Sequence, residues 1–373
     1  MTGAPTPQVR EEALRCLRAF AAVTFGPLPG GDPAPHRLTG PLPVPLTALL
    51  RLAEAEGVTE VVAAGLLARL GNAPSARALG LMLAPPRRLA QIRARAYAAE
   101  LAELGGALVA LGHRGVALKG AAVLAEAGSD EPPAWRDMID LDLLIAPEAL
   151  APMVDALIAR GWTGDLAAFS PASDYHFPAL IPPGDAPATV ELHLRLGWRR
   201  GGPLAAPGLM ARAIPSAMEG LSVLAPPDRL AHLMMHAQIA DRRHARGTAR
   251  LRDALDWRML AMRADPGAAP MPGRAARRGG QAFAALQALI WDAPETCAPN
   301  LARSHGAWAR TALGRIGDAQ AQDAAKARDR ARFWLDTALS PALLWHLAAG
   351  MANPTRRARL LGRLIPGGAP RGD

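Results

Sequence analysis

The segment from Trp135 to Ile145 alternates around two acids, Asp140 and Asp142. On an extended strand residues two apart share a face about 6.5 to 7 Å from each other, so both carboxylates point one way. Ile139, Leu141 and Leu143 then face a core on the other side. Two carboxylates on one face of an apolar strand call for a counter-charge, and hard oxygen ligands suit a divalent cation such as Mg²⁺ or Mn²⁺. Taken alone, Asp-x-Asp also fits an edge strand whose acids point to water. Thr189 to Leu196 alternates as cleanly, with Glu191, His193 and Arg195 on one face and Val190, Leu192, Leu194 and Leu196 on the other. If the two strands are neighbours, Glu191 supplies a third carboxylate. Three acids can hold two metal ions about 3.5 to 4 Å apart, an arrangement that stabilises in-line displacement at phosphorus. By itself the second strand fits a cross-strand salt-bridge ladder equally well.

A third segment, Val116-Ala117-Leu118-Lys119-Gly120, reads as a strand that turns into a helix near Ala121. Glycine at such a junction lets a phosphate approach the N–H groups at the positive end of the helix, and Lys119 sets an ammonium beside it. A turn glycine and a solvated lysine are the plain alternative. Lys119 stands out because the chain has two lysines, Lys119 and Lys326, among 42 basic residues. So strong an arginine bias, with many Ala, Gly and Pro, marks a GC-rich coding sequence. The net charge of +9 and the pI near 10.8 therefore carry little information about nucleic acid.

The elements that must position these residues follow from hydrophobic spacing. Helices are expected over Gln8–Val23, in Leu46–Leu70, and over Ala76–Leu83, with a Pro/Gly-rich linker from Gly26 to Pro45. A separate long helix is expected over Arg87–Gly112, enclosing the pair Gly105 and Gly106. Strands are expected at Gly115–Leu118, Ile139–Ile145 and Thr189–Leu196, interleaved with helices at Ala121–Ala127 and Pro147–Arg160, the latter ended by Gly161. Beyond Pro226 the pattern is helical again, through His232–Ala240, Thr248–Met262 and onward from Trp291. The fold class expected is α/β, helical for the most part, with a small mixed sheet flanked by helical regions. Three parts are expected: residues 1–86 helical with a Pro-rich linker, 87–224 the α/β core, and 225–373 a C-terminal helical domain.

In their order and spacing these motifs resemble the uncharacterised bacterial nucleotidyltransferases of the DNA polymerase beta superfamily. The resemblance is carried by Leu118-Lys119-Gly120, Arg136 ahead of Asp140-Leu141-Asp142, Gly161-Trp162 and Glu191-Leu192-His193. It continues through Pro227-Asp228-Arg229-Leu230-Ala231-His232-Leu233 with His236, and Leu251-Arg252-Asp253-Ala254-Leu255-Asp256-Trp257. It implies that Asp140, Asp142 and Glu191 are the catalytic, metal-binding acids for Mg²⁺ or Mn²⁺. Lys119, Gly120, Arg136 and His193 are the candidate contacts to an NTP. The implied reaction moves a nucleoside monophosphate to a hydroxyl of a small molecule, peptide or protein and releases pyrophosphate. A non-catalytic nucleotide-binding scaffold or sensor, and an RNA-directed transferase, are the competing readings. Arg136 fits a phosphate contact or a brace for the acids. The wider superfamily usually has Gly-Ser where this chain has Lys119-Gly120, so charge would stand in for a hydroxyl.

Other residues have simpler readings. His232 and His236 are one helical turn apart, which suits packing or a nucleotide contact; for zinc there is no Glu directly after His232 and no cysteine close by. Arg242, Arg243, His244, Arg246 and Arg250 fit a solvated loop between helices or a site for a phosphate-bearing acceptor, and Tyr175 and His176 fit the acceptor side. Arg356, Arg357, Arg359 and Arg363 have no interleaved aromatics of the kind that stack on RNA bases. Cys16 and Cys297 are too few and too far apart for a disulfide framework. With no signal-peptide pattern and no apolar run near 20 residues, the expected location is cytoplasmic, without membrane contact.

Overall fold

A computed structural model describes residues 4–26, 42–71, 74–164, 169, 175–184, 188–196, 204–293 and 299–338. Most of the linker, Cys297 and the four arginines of the tail lie outside them. The first helices are α1 (Pro7–Phe25), α2 (Leu46–Ala55), α3 (Thr59–Leu70) and α4 (Pro74–Ala110). Helix α1 begins one residue before the expected Gln8, with Pro7 in the first turn and the Thr6 hydroxyl accepting from Val9 N–H. Helix α4 departs from expectation, because the break at Pro85 and Pro86 does not occur. The two prolines leave the carbonyls of Leu81 and Met82 without helical donors. All four residues lie on an exposed stretch where water can take over that role.

The sheet comprises β1 (Gly115–Ala117), β2 (Asp140–Ile145), β3 (Thr189–His193), β4 (Ile214–Pro215) and β5 (Leu221–Val223), in the order β3-β2-β1-β5-β4. Strands β2 and β3 are parallel, as are β1 and β5; β1 runs antiparallel to β2, and β4 to β5. The small mixed sheet within a largely helical chain matches the expected fold class. Strands β4 and β5 are too short for alternation to reveal them. β3 stops at His193, two residues after Glu191, and Arg195 then forms an isolated bridge to Ala205.

Both faces of the sheet are covered. Leu141, Leu143 and Ile145 of β2 pack with Tyr97, Leu101 and Leu104 of α4, with α5 (Lys119–Ala127) and with α6 (Pro147–Ala159). Leu144 faces the other way, into a smaller cluster with Val116, Leu118 and Ala231. Ala231 belongs to α8 (Pro226–Met235), which follows the short α7 (Ala206–Ala211) and leads into a π-helical turn at His236–Ala240. The expected continuous helix over His232–Ala240 thus changes its winding at His236. Ile139 does not join the core: it precedes β2 and is 59% exposed.

Helices α9 (Arg243–Arg246), α10 (Leu251–Ala261), α11 (Gly273–Ile290), α12 (Pro299–Gly314) and α13 (Ala319–Ala338) complete the chain. Helices α1 to α3 share one core with α8, α10, α11 and α12. Buried Glu56, just after α2, accepts from Leu251 N–H at the start of α10 (3.0 Å) and from Gly317 N–H (2.7 Å). A carboxylate at a helix start is well placed for the orphan N–H groups and the dipole. A side chain at Gly105 would come within 2.3 Å of the Glu219 carbonyl, which explains one glycine of the pair in α4; Gly106 meets nothing. No helix among the described residues is long and apolar enough to cross a membrane.

Candidate active site

The parallel register of β2 and β3 sets Asp142 opposite Glu191 and Leu144 opposite His193. Opposite residues share a sheet face, so Asp140, Asp142, Glu191 and His193 project to one side. The backbone of β1 meets the same place, since Leu118 N–H donates to the Asp142 carbonyl at 3.0 Å. The next residue, Lys119, has φ of 46°, a left-handed conformation uncommon for a side chain with a Cβ. That turn brings Lys119 Nζ to 2.8 Å from Asp142 Oδ1. His193 Nε2 meets the same oxygen at 2.8 Å and lies 3.6 Å from Glu191 Oε2. His176 Nδ1 is 3.9 Å from Glu191 Oε2.

Asp142, Glu191 and His193 each offer a ligand atom within 4.8 Å of the other two. Asp140 lies on the same face but outside that trio. Asp142 is 1% exposed, and burial pushes its carboxyl up. The Lys119 ammonium and the His193 hydrogen bond outweigh burial and hold it well below the usual carboxylate range. Burial likewise opposes the charge on His193, yet its bonds to Asp142 and Glu191 keep the imidazole above its ordinary value. Glu191 is held low against burial by His193 and His176. Asp140 goes the other way, raised first by burial and then by Asp142.

Even with His193 charged, Lys119 and the imidazole bring two positive charges to three carboxylates, so the cluster is short of balance. The His193 Nδ1 is buried and has no hydrogen-bond partner among the described residues. Two carboxylates and an imidazole, with a third carboxylate beside them, are donors suited to one divalent cation or two. The donor set therefore fits a metal centre.

A family model for uncharacterised nucleotidyltransferases matches residues 43–289, a span that includes every residue of this cluster. The chain belongs to that family. No curated protein and no solved structure matches it.

Two of the residues expected to touch nucleotide, Arg136 and Gly120, have structural neighbours of their own. Arg136 sends Nε and Nη2 to Asp256 of α10 at 2.8 to 3.1 Å and Nη1 to the Asp137 carbonyl at 2.9 Å. It thereby ties the lead-in of β2 to α10. A side chain at Gly120 would lie 3.0 Å from Met138 Cε and 3.3 Å from Arg136 Nη1, so a larger residue there would have to displace these side chains. The lead-in to β2 is held further by Tyr97, whose hydroxyl donates to the Met138 carbonyl at 2.7 Å. Lys119 joins the acids directly, and His193 sits among them rather than at the rim. Its signal in the sequence was its place two residues after Glu191, which only a parallel register converts into contact with Asp142. Asp256 gave no signal as the partner of Arg136, because 120 residues separate them. The basic stretch is largely neutralised: Arg242 and Arg246 pair with Asp329, and Arg243 with Asp241 and Asp253.

Proposed function

We propose that this chain is a metal-dependent enzyme that transfers a nucleoside monophosphate from an NTP to an acceptor hydroxyl and releases pyrophosphate. The observation that carries the reading is the convergence of Asp142, Glu191 and His193, with Asp140 and Lys119 beside them, in a member of a nucleotidyltransferase family. Asp140, Asp142 and Glu191 would hold Mg²⁺ or Mn²⁺, with His193 as a further ligand or as the group that fixes Asp142. A divalent ion there supplies charge neutralisation at the reacting phosphate.

The remaining work falls to positioning, which such displacements chiefly require. Lys119, held in place by its turn, offers an ammonium to the anionic donor. Glu191, 24% exposed at the edge of the cluster, takes the acceptor's proton. Burial of Asp142 and His193 keeps water from the ligand atoms that need fixed geometry. The test is incubation with α-labelled NTPs, Mg²⁺ or Mn²⁺ and a panel of hydroxyl acceptors. Wild type should label an acceptor and release pyrophosphate, while Asp142→Asn should lose at least about 100-fold in rate, the scale of one lost electrostatic contact at a transition state. Equal activity of the two proteins would overturn the proposal.

A further inference from the structure

Helix α8 lies over the face of the sheet that carries the acids. Its Ala231 packs in one cluster with Val116, Leu118 and Leu144, the last alternating with Asp142 on β2, and Met235 packs against that cluster. The neighbouring positions on α8 and its continuation are His232 and His236. Their rings stack edge to face with centroids 6.1 Å apart. His232 is 8% exposed. His236 is about one-third exposed and opens the π-helical turn, a winding often found at functional sites.

Burial disfavours the charged form of both rings, and both sense the cluster. Burial pushes His236 down to about 3, with the Lys119 charge next in effect; His232 is pushed low by burial and then by His236 and Lys119. The carboxylates that face His236 are Asp142, Asp253 and Asp241, the last at 3.8 Å. Asp142 is engaged by Lys119, and Arg243 engages Asp241 at 2.8 Å and Asp253 at 3.3 Å. The Tyr175 ring lies 5.9 Å from the His193 ring, and the charge that acts most on it is Glu191. The α8 side of the cluster thus brings two imidazoles beside Lys119, and the β3 side brings the Glu191 carboxylate beside Tyr175 and His176.

We infer that His232 and His236, with Lys119, form the subsite for the polyphosphate of the donor, and that the acceptor hydroxyl enters from the Tyr175 and Glu191 flank. The inference rests on the reaction proposed above. In that reaction the acceptor oxygen bonds to the α-phosphorus as the bond to the bridging oxygen breaks. The electron pair leaves with pyrophosphate, and the acceptor proton goes to Glu191. Charge therefore builds on the leaving group, where the two imidazoles donate hydrogen bonds to phosphate oxygens.

Titration calorimetry with inorganic pyrophosphate and Mg²⁺ tests this on the full chain, with Mn²⁺ binding measured separately. His236→Ala should bind pyrophosphate about tenfold more weakly, His236→Gln should recover most of that loss by keeping a donor, and both should bind Mn²⁺ as wild type does. His232→Gln, at the buried position, should also weaken pyrophosphate binding. Absence of pyrophosphate binding by wild type, affinities within twofold of wild type in the His236→Ala and His232→Gln variants, or an equal loss of Mn²⁺ would each overturn the subsite. Pyrophosphate binding that depends on His236, in a protein that transfers no nucleotide, would uphold the subsite and overturn the reaction.

Discussion

Charge balance at single residues governs this site. Lys119 is held by Asp142 in a backbone conformation that few side chains adopt, and an arginine there would have to fit its planar fork where a compact ammonium sits. Lys119→Arg should therefore reduce turnover by about tenfold or more, whereas Lys326→Arg, at an exposed pair with Asp323, should leave it unchanged; steady-state kinetics on the two variants decides. Away from the site, Glu100 of α4 is 8% exposed with little more than the Ala188 N–H beside it, and burial raises its carboxyl to about 7 from an ordinary 4.5. The folded state thus binds a proton that the unfolded state releases. The stabilisation is complete below pH 4.5 and is lost as the pH rises through 7. Glu100→Gln should raise stability at pH 8 by on the order of 2 kcal/mol and make little difference at pH 4.5, read by urea unfolding at both pH values.

At the scale of elements, the strands that carry the acids were the legible part. Alternation in Asp140–Ile145 and Thr189–His193 put Asp140, Asp142, Glu191 and His193 on one face and Leu141, Leu143, Val190 and Leu192 on the other, because side chains on a strand repeat with a period of two, even though both faces of this sheet are covered. The parallel pairing that joins them is a long-range property, and so is the brace on the lead-in. Arg136 and Asp256 are a buried, bidentate pair between a loop and α10, and removing one partner leaves the other charged and unsatisfied. Arg136→Ala should cost about 3 kcal/mol or more in urea unfolding. The double variant Arg136→Ala/Asp256→Ala should cost clearly less than the sum of the two single changes. The unbroken α4 was misjudged for a simpler reason: exposed prolines leave carbonyls that water can satisfy, which a rule about proline in helix interiors does not consider.

Across the whole molecule, the N-terminal and C-terminal helices close around each other, and Glu56 of the first region caps α10 of the last. Composition and periodicity could identify helices at both ends but not that they share a core, since nothing local to either segment encodes the other. The consequence for function is that α8 and α10, anchored in that core, present His232, His236 and Asp256 to a sheet that contributes the acids. Sheet and helices together thus shape the cluster on which the proposed chemistry depends. That cluster is best tested as a metal centre. Titration of the full chain with Mn²⁺, followed by electron paramagnetic resonance, should give binding at neutral pH that weakens at least tenfold in both Asp142→Asn and Glu191→Gln. Wild type that binds no Mn²⁺, or binding indifferent to both substitutions, would contradict the account.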